Sequence, residues 1–555
     1  MIRRSGSGRA VTVLMAAALS AGLLLSGCGA KEETKETTMA SAETEASADS
    51  SEASEAEEEG TAASGTSEAS DTETEELSVL HPYVERQQKA DYDYEGSLLA
   101  STEYDIIGLH DEAKELNALS EALTAYNEER GQIAAITQDT LLEIAMEDAE
   151  ESDSFYGYQS ISGIEIKRAD GRVFSFTDNF YDYTGGAHGN GGTTGISFDS
   201  KTGERLELSD LVSDKDALKD YVIAELETRY GADGGLFEGW QDTVRNDIDE
   251  VPYAEVEGLE DAEGNMTVEF ALSASGLEIY FQPYEIGPYA LGTITVEVPY
   301  TEESLGFSEA YLPLSEQSVW RLEPYEELSL DVDGDGTKEA VGLGFEVQED
   351  ESQSTYTVYV TDGEETFSVN GVCGYGMDDA YILRSAGGSY MLYGDCRSDN
   401  DWHYLSMVDL TALAGGEVQD QAPAEYYEAF YDNVPVSADS FYLSTRGSLI
   451  STVPERREHC VGQNGFPEAL QDDFIIDELE LTAKNDIKAT DEDGNETEVP
   501  NGTTVKVVST DEASYIVAEL PDGKRVKIEI NGESWPHTIG GTDIEDCFEG
   551  LIFAG

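Results

Sequence analysis

Basic residues are scarce in this chain: 31 Lys and Arg stand against 117 Asp and Glu in 555 residues, a formal net charge of −86. That shortage excludes nucleic acid as a partner, because affinity for a polyphosphate comes from Lys and Arg neutralising phosphates. The imbalance is not confined to the N-terminus. Beyond residue 78 there remain 26 basic against 101 acidic residues, a net −75. Such a field favours a cationic partner and speeds its approach. Cysteine is also rare. After Cys28 only Cys373, Cys396, Cys460 and Cys547 remain, with no CxxC spacing of a zinc or redox pair. The chain has six histidines, and none has a second at metal-ligand spacing. HExxH, a nucleophile-elbow GxSxG and GxxxxGK[ST] are missing, which removes the commonest metalloprotease, hydrolase and nucleotide-binding signatures. After the first two dozen residues no apolar run is long enough to cross a membrane.

What is present begins with a leader. "MIRRSGSGR" supplies three arginines ahead of the apolar run "AVTVLMAAALSAGLLLSG", the pattern of a secretion signal over residues 1–27. Leu25-Ser26-Gly27-Cys28 resembles the lipobox of bacterial lipoproteins, in which the cysteine is acylated and becomes the mature N-terminus. The resemblance implies anchoring at the outer face of a membrane by more than one acyl chain, as lasting attachment requires. Residues 28–78 contain no aromatic side chain and carry sixteen acids against two lysines. Such a segment cannot bury enough apolar surface to offset its ordering entropy, so it reads as an extended acidic tether.

Length implies three or four folded units. The expected fold class is an α+β N-terminal module followed by mainly β domains. The first part of the module is placed at 79–190. It holds a helical stretch with apolar residues at Leu116, Leu119, Leu123, Ile133, Ile136 and Leu141, then two alternating runs joined at Asp170-Gly171, a hairpin signal. The second part, 191–305, opens on "TGISFDSKTGERLELSDL". It continues with an amphipathic helix capped by Ser213 or Asp214 and closes on strands. Residues 306–470 read as short strands between Asp-Gly and Gly-Gly turns, and 471–555 as a small barrel with SH3-like strand rhythm. An exported chain permits disulfides, and Cys373 with Cys396 is the candidate bridge; free thiols are the open alternative.

Three stretches carry candidate sites. "YDYTGGAHGNGG" surrounds His188 with glycines that permit positive φ and close backbone approach. A histidine there pins a turn, with a binding contact second and catalysis last. "YFQPYEIGPYALG" places Tyr284 and Tyr289 beside two prolines, as an exposed anchor or as core, with Phe281 assigned to core. "DVDGDGTKE" offers Asp331, Asp333, Asp335, the Thr337 carbonyl and Glu339 at alternate positions, the hard oxygen donors that calcium requires. Gly342 stands where an EF-hand needs a bidentate acid, and the flanks are strand-like. The loop therefore resembles the calcium-binding hairpin loops of integrin-type repeats, with one calcium site.

"ADGRVFSFTDNFYDYTGGAHGNGG", "FDSKTGERLELSDLV" and "GLEIYFQPYEIGPYALGTITVEVPY" together resemble a two-part bacterial envelope module over about residues 85–305. Both parts are domains of unknown function. The module is similar to the outer region of the lysozyme-sensing anti-sigma factor and to the non-catalytic part of PdaC-type peptidoglycan deacetylases. The resemblance implies a cell-envelope protein that binds or senses a wall-associated ligand, lysozyme or peptidoglycan, without catalysis. The deacetylases' Asp-Asp and His-x-x-x-His metal set is missing, and "FSFTDNF" lacks the second aspartate. A lipobox and tether stand where the anti-sigma relative has its cytoplasmic domain and membrane helix, so direct transmembrane control of a sigma factor is not expected. The competing readings are a peptidoglycan hydrolase with an unrecognised site and a calcium-stiffened structural lipoprotein.

Overall fold

The computed structural model describes residues 79–110, 116–151, 155–231, 234–256, 264–347, 354–398, 402–416 and 424–553. The leader, Cys28 and the acidic tether lie outside the described residues. Strands β1 (Pro82–Tyr92), β2 (Leu98–Leu109), β3 (Tyr158–Ala169), β4 (Val173–Tyr183) and β5 (Asn190–Asp199) form one sheet in sequence order. All its neighbours are antiparallel except β2 and β3, which run parallel. A parallel pair needs a crossover, and helix α1 (Asn117–Glu151) supplies it. The β3–β4 hairpin turns at Asp170-Gly171 as the sequence predicts. Asp170 Oδ1 accepts from the amides of Arg172 (2.8 Å) and Val173 (3.0 Å) there.

Leu116, Leu119 and Leu123 at the start of α1 are buried against Ile107, Phe174, Phe176 and Ile196. Each buried leucine contributes roughly 2 kcal/mol relative to exposure. Farther along, Leu141 is buried as expected, but the stripe is interrupted before it. Ile136 is 62 % exposed, and its place on the inner face is taken by Gln138, which is fully buried. Gln138 accepts from Thr102 Oγ1 at 2.8 Å and donates to Asp91 Oδ2 at 2.8 Å. Arg130, also buried, donates to Asp105 O at 2.9 Å and pairs with Asp178. These partners satisfy the polar groups, which is why the face can be polar and still closed.

The second part carries helices α2 (Lys215–Tyr230) and α3 (Trp240–Ile248) over a three-stranded antiparallel sheet of β6 (Glu269–Leu272), β7 (Gly276–Phe281) and β8 (Ile294–Pro299). Asp214 caps α2, accepting from Ala217 N at 2.9 Å; such a cap stabilises by about 1 kcal/mol. Leu218, Val222 and Leu226 of α2 and Val244 and Ile248 of α3 share one core with Ile279, Phe281 and Val296 of the sheet. Residues 190–199, expected to open the second part, instead form an edge of the first sheet. That edge presses on β6 so closely that a Cβ at Gly195 would lie 1.8 Å from Phe270 O. Glycine alone permits this approach.

Two further antiparallel sheets follow. One contains β10 (Glu327–Leu330), β11 (Glu339–Val347), β12 (Ser354–Asp362) and β13 (Glu365–Val372). The other contains β9 (Val319–Arg321), β14 (Gly376–Arg384), β15 (Tyr390–Arg397), β16 (His403–Asp409) and β17 (Ala424–Tyr426). They share a core of Val341, Leu343, Val358, Ile382 and Leu392. The Cys373–Cys396 disulfide joins them, with Cα atoms 5.2 Å apart, while Cys460 and Cys547 are free thiols. On the opposite face Tyr393, Leu405 and Met407 pack on Phe430 and Phe441. The strands Phe441–Arg446 and Pro454–Val461 continue into the sheet of the C-terminal region through the pair Arg456 and Ile475. The boundary expected at residue 470 therefore runs through a hydrogen-bonded sheet. The fold class is as expected, an N-terminal α+β region followed by many β sheets. Among the described residues no helix is long and apolar enough to cross a membrane.

Candidate functional site

The two aromatic motifs, far apart in sequence, meet at one place. Gln282, just after β7, is clamped to Thr193 of β5: Thr193 N donates to Gln282 Oε1 (2.9 Å) and Gln282 Nε2 donates to Thr193 O (2.8 Å). That clamp brings the loop after β7 against the loop between β4 and β5. His188 then stacks on Tyr289 with ring centroids 4.1 Å apart and planes 21° from parallel. Tyr284 stands 5.6 Å from Tyr289, is 54 % exposed and has a φ of 73°. The three residues singled out from sequence thus form one exposed aromatic platform.

Gly189 is the hub beneath it. Its carbonyl accepts from His188 Nδ1 (2.7 Å) and from Tyr289 Oη (3.1 Å), and its amide donates to Tyr181 Oη (2.9 Å). A Cβ at Gly189 would lie 2.5 Å from the Tyr181 ring, so a side chain would break the arrangement. His188 thereby keeps Nδ1 occupied and offers a ring face to a partner. Phe281 is fully buried, as expected of core.

Behind the platform lies a pair of carboxyl groups. Asp247 of α3 is 2 % exposed and hydrogen-bonds Glu285, the residue after Tyr284. Burial, then the charge of Glu285, pushes Asp247 up to about 9; burial pushes Glu285 up to about 7. Glu269 adds repulsion on the Glu285 side. Burial and the neighbouring charge both favour the protonated form of Asp247. The loop bearing Tyr284 and Tyr289 thus sets the Glu285 carboxyl against the buried Asp247 of α3, whose Oδ2 has no hydrogen-bond partner. Sequence reasoning missed this pair because one acid among 117 carries no local mark.

The loop between β10 and β11 brings together three of the five expected donors, Asp331, Asp333 and Asp335. One carboxylate oxygen from each of Asp331, Asp333 and Asp335 lies within 4.8 Å of the others. Asp331 accepts from the amides of Gly334 (2.8 Å) and Gly336 (3.1 Å), both glycines at positive φ. Glu339 is 1 % exposed, accepts from Val332 N at 2.8 Å through Oε2, and leaves Oε1 buried without a hydrogen bond. Burial raises its carboxyl, and the charges of Asp333 and Asp331 add to that. Glu339 is not among the three residues whose oxygens cluster, so the expected fifth donor stands apart from them. Thr337 is exposed in the same loop, and its amide donates to Asp335 Oδ1 at 2.7 Å.

His403, which has no partner nearby in sequence, gains one in space: Asp395 Oδ1 lies 2.8 Å from its Nδ1, and Asp378 Oδ2 lies 3.8 Å away. Burial lowers the His403 pKa, but the bond to Asp395 and the charges of Asp395 and Asp378 outweigh that and raise it. His459 is fully buried, donating to Arg457 O at 2.8 Å, with Glu428 Oε2 3.1 Å from its other nitrogen.

The solved structures that resemble part of this chain include two of the DUF3298 family. A DUF3298 family member from Bacteroides fragilis is 18 % identical with a TM-score of 0.32; the match covers 42 % of this chain and 96 % of that one. A DUF3298 family protein from Pseudomonas aeruginosa is 16 % identical with a TM-score of 0.27, over 42 % and 97 % of the two chains. No curated protein matches. The segment that begins just before α2 and ends just after β8, residues 209–301, matches the family described as protein of unknown function (DUF3298), and is a DUF3298 domain.

Proposed function

We propose that this is a lipid-anchored protein at the outer face of the bacterial cell membrane that binds a cationic wall-active protein such as lysozyme, without catalysis. The observation that carries the reading is the meeting of His188, Tyr284 and Tyr289 on one platform. Rigid aromatic rings on a fixed loop are what a protein interface uses as anchors. A surrounding net charge of −75 beyond residue 78 attracts a basic partner. Occupation of His188 Nδ1 by a carbonyl and of its face by Tyr289 suits binding better than proton transfer. Cys28 is the proposed site of acylation. Calcium at Asp331, Asp333, Asp335, Thr337 and Glu339 is the proposed stiffener of the β region, supported by the clustered oxygens of the three aspartates.

The test is surface plasmon resonance of the purified exported chain against lysozyme at low salt and at ~0.15 M, where exposed charges are screened. Binding is expected at both. Tyr289→Ala or His188→Ala should weaken it by ~30-fold, as removal of an anchor worth about 2 kcal/mol does. Binding that is absent at low salt, or unchanged in both variants, overturns the reading. New products from incubation with muropeptides would instead establish an enzyme.

A further inference from the structure

The protein's few cations are not spread evenly. Six of the 26 Lys and Arg beyond residue 78 (Arg86, Lys167, Arg168, Arg321, Arg397 and Arg446) line one cleft of about 870 Å³. Eight acids share that lining with these six cations, whereas the chain beyond residue 78 carries 101 acids against 26. The cleft lies between the first sheet, which contributes Arg86 from β1 and Lys167 and Arg168 from β3, and the sheet of β9 and β14–β17. Its size is that of a site for a small molecule, roughly 300–1,000 Å³.

The walls differ in chemistry. On the β side Arg321 Nη2 lies 2.9 Å from Asp379 and Arg397 Nη2 3.2 Å from Asp378. His403 pairs with Asp395. Asp432 lines the same wall and has no basic partner within ion-pair distance among the described residues. It sits on a constrained turn: Tyr431 and Asp432 have φ of 22° and 62°. The turn is held by Tyr431 N donating to Asp395 Oδ2 (3.0 Å) and by Val84 N donating to Asp432 O (3.0 Å). Such backbone persists only where its surroundings fix it. Burial, then Glu85, pushes the Asp432 carboxyl up to about 6, with Asp395 adding to this and His403 pulling the other way. Burial pushes Asp379 up to about 6 against the pull of Arg321. This wall has carboxylate to spare. On the opposite wall Arg168 is 4 % exposed, donates to Asp170 Oδ2 and Tyr311 O, and leaves Nη2 buried without a hydrogen bond. That wall has a guanidinium donor to spare.

We propose that this cleft binds a short zwitterionic peptide, its ammonium group against Asp432 and its carboxylate against Arg168. Among the described residues Asp432 lacks an ion pair and Arg168 Nη2 lacks a hydrogen bond, so a ligand of both signs engages both without breaking an internal pair, whereas a singly charged ligand satisfies one. The same chemistry is found in free peptides and in the stem peptides of a cell wall, and the site is independent of the aromatic platform.

Isothermal titration calorimetry on the purified exported chain tests this with two probes, trialanine and the stem-type tetrapeptide L-Ala–γ-D-Glu–L-Lys–D-Ala. At least one should bind. Binding of the tetrapeptide alone points to a wall source, and binding of trialanine alone or of both to peptides generally; each supports the site. N-acetylating the bound probe or amidating its C-terminus should weaken it ~10-fold or more, the cost of one lost charge-assisted bond. Asp432→Asn should do the same with an unchanged circular dichroism spectrum. Arg168→Gln provides a second variant on the other wall. The proposal is overturned if neither probe gives heat, if the blocked peptides bind as well as the free ones, or if folded Asp432→Asn binds like the wild type.

Discussion

Replacing Asp247 by Asn should change how the DUF3298 domain responds to pH while hardly changing its shape. In the native state burial and Glu285 push Asp247 up to about 9, whereas an unfolded aspartate titrates near 4. Between pH 6 and 8 Asp247 therefore holds a proton that the unfolded chain has released, and Glu285, pushed up to about 7, adds to the dependence in the same direction. A group whose native pKa is raised binds more protons folded than unfolded, so stability falls as pH rises through this window. The slope is about 1.4 kcal/mol per pH unit per proton, or about 2.7 kcal/mol from pH 6 to 8. An asparagine in this position needs no such proton, and its amide can still donate to Glu285. Native-state hydrogen exchange reads this locally, which matters because Glu455, pushed up to about 9 by burial and Glu512, adds a similar dependence in the C-terminal region. After correction for intrinsic exchange, protection of the α3 amides in the wild type should fall steeply from pH 6 to 8. In Asp247→Asn the fall should be shallower by about tenfold per pH unit. Equal slopes in the two proteins would refute the assignment of this proton to Asp247.

Calcium should raise the thermal midpoint, since saturation to a hundred times Kd adds about 2.7 kcal/mol to the native state. Asp333→Ala or Asp335→Ala should abolish the rise, and a midpoint indifferent to calcium in the wild type would reduce the loop to a turn. Replacing both Cys373 and Cys396 by Ser opens a loop of sequence separation 23 and should destabilise the paired sheets by about 3 kcal/mol. Denaturant unfolding followed in the β region would show no change if the bridge were inconsequential. Cys28→Ala should move the protein from the membrane fraction to the medium or leave an unprocessed precursor. A normally processed, membrane-bound variant would rule out acylation there.

Features written in short stretches were legible in the sequence. The Asp170-Gly171 turn, the Asp214 cap and the oxygens of "DVDGDGTKE" depend on residues a few positions apart, where local geometry dictates the outcome. The acidity and the α+β-then-β order were legible for the same reason, as sums over local composition and periodicity. The outcome along α1 was not: Ile136 faces out because Gln138 finds Thr102 and Asp91 on strands 36 and 47 residues away. Hydrophobic periodicity has no term for a polar residue whose partners come from another element. The same limit hid the remaining sites. His188 and Tyr289 could be named individually, but only the Gln282–Thr193 clamp stacks them. Asp247 meets Glu285, His403 meets Asp395, and Arg168 comes to line the same cleft as Asp432 only once the sheets are packed. The sequence by itself determined the turns, the caps, the acid excess and the three-aspartate loop. Tertiary structure decided which of 117 acids hold protons and which cations share a cleft, because burial and proximity across elements set both.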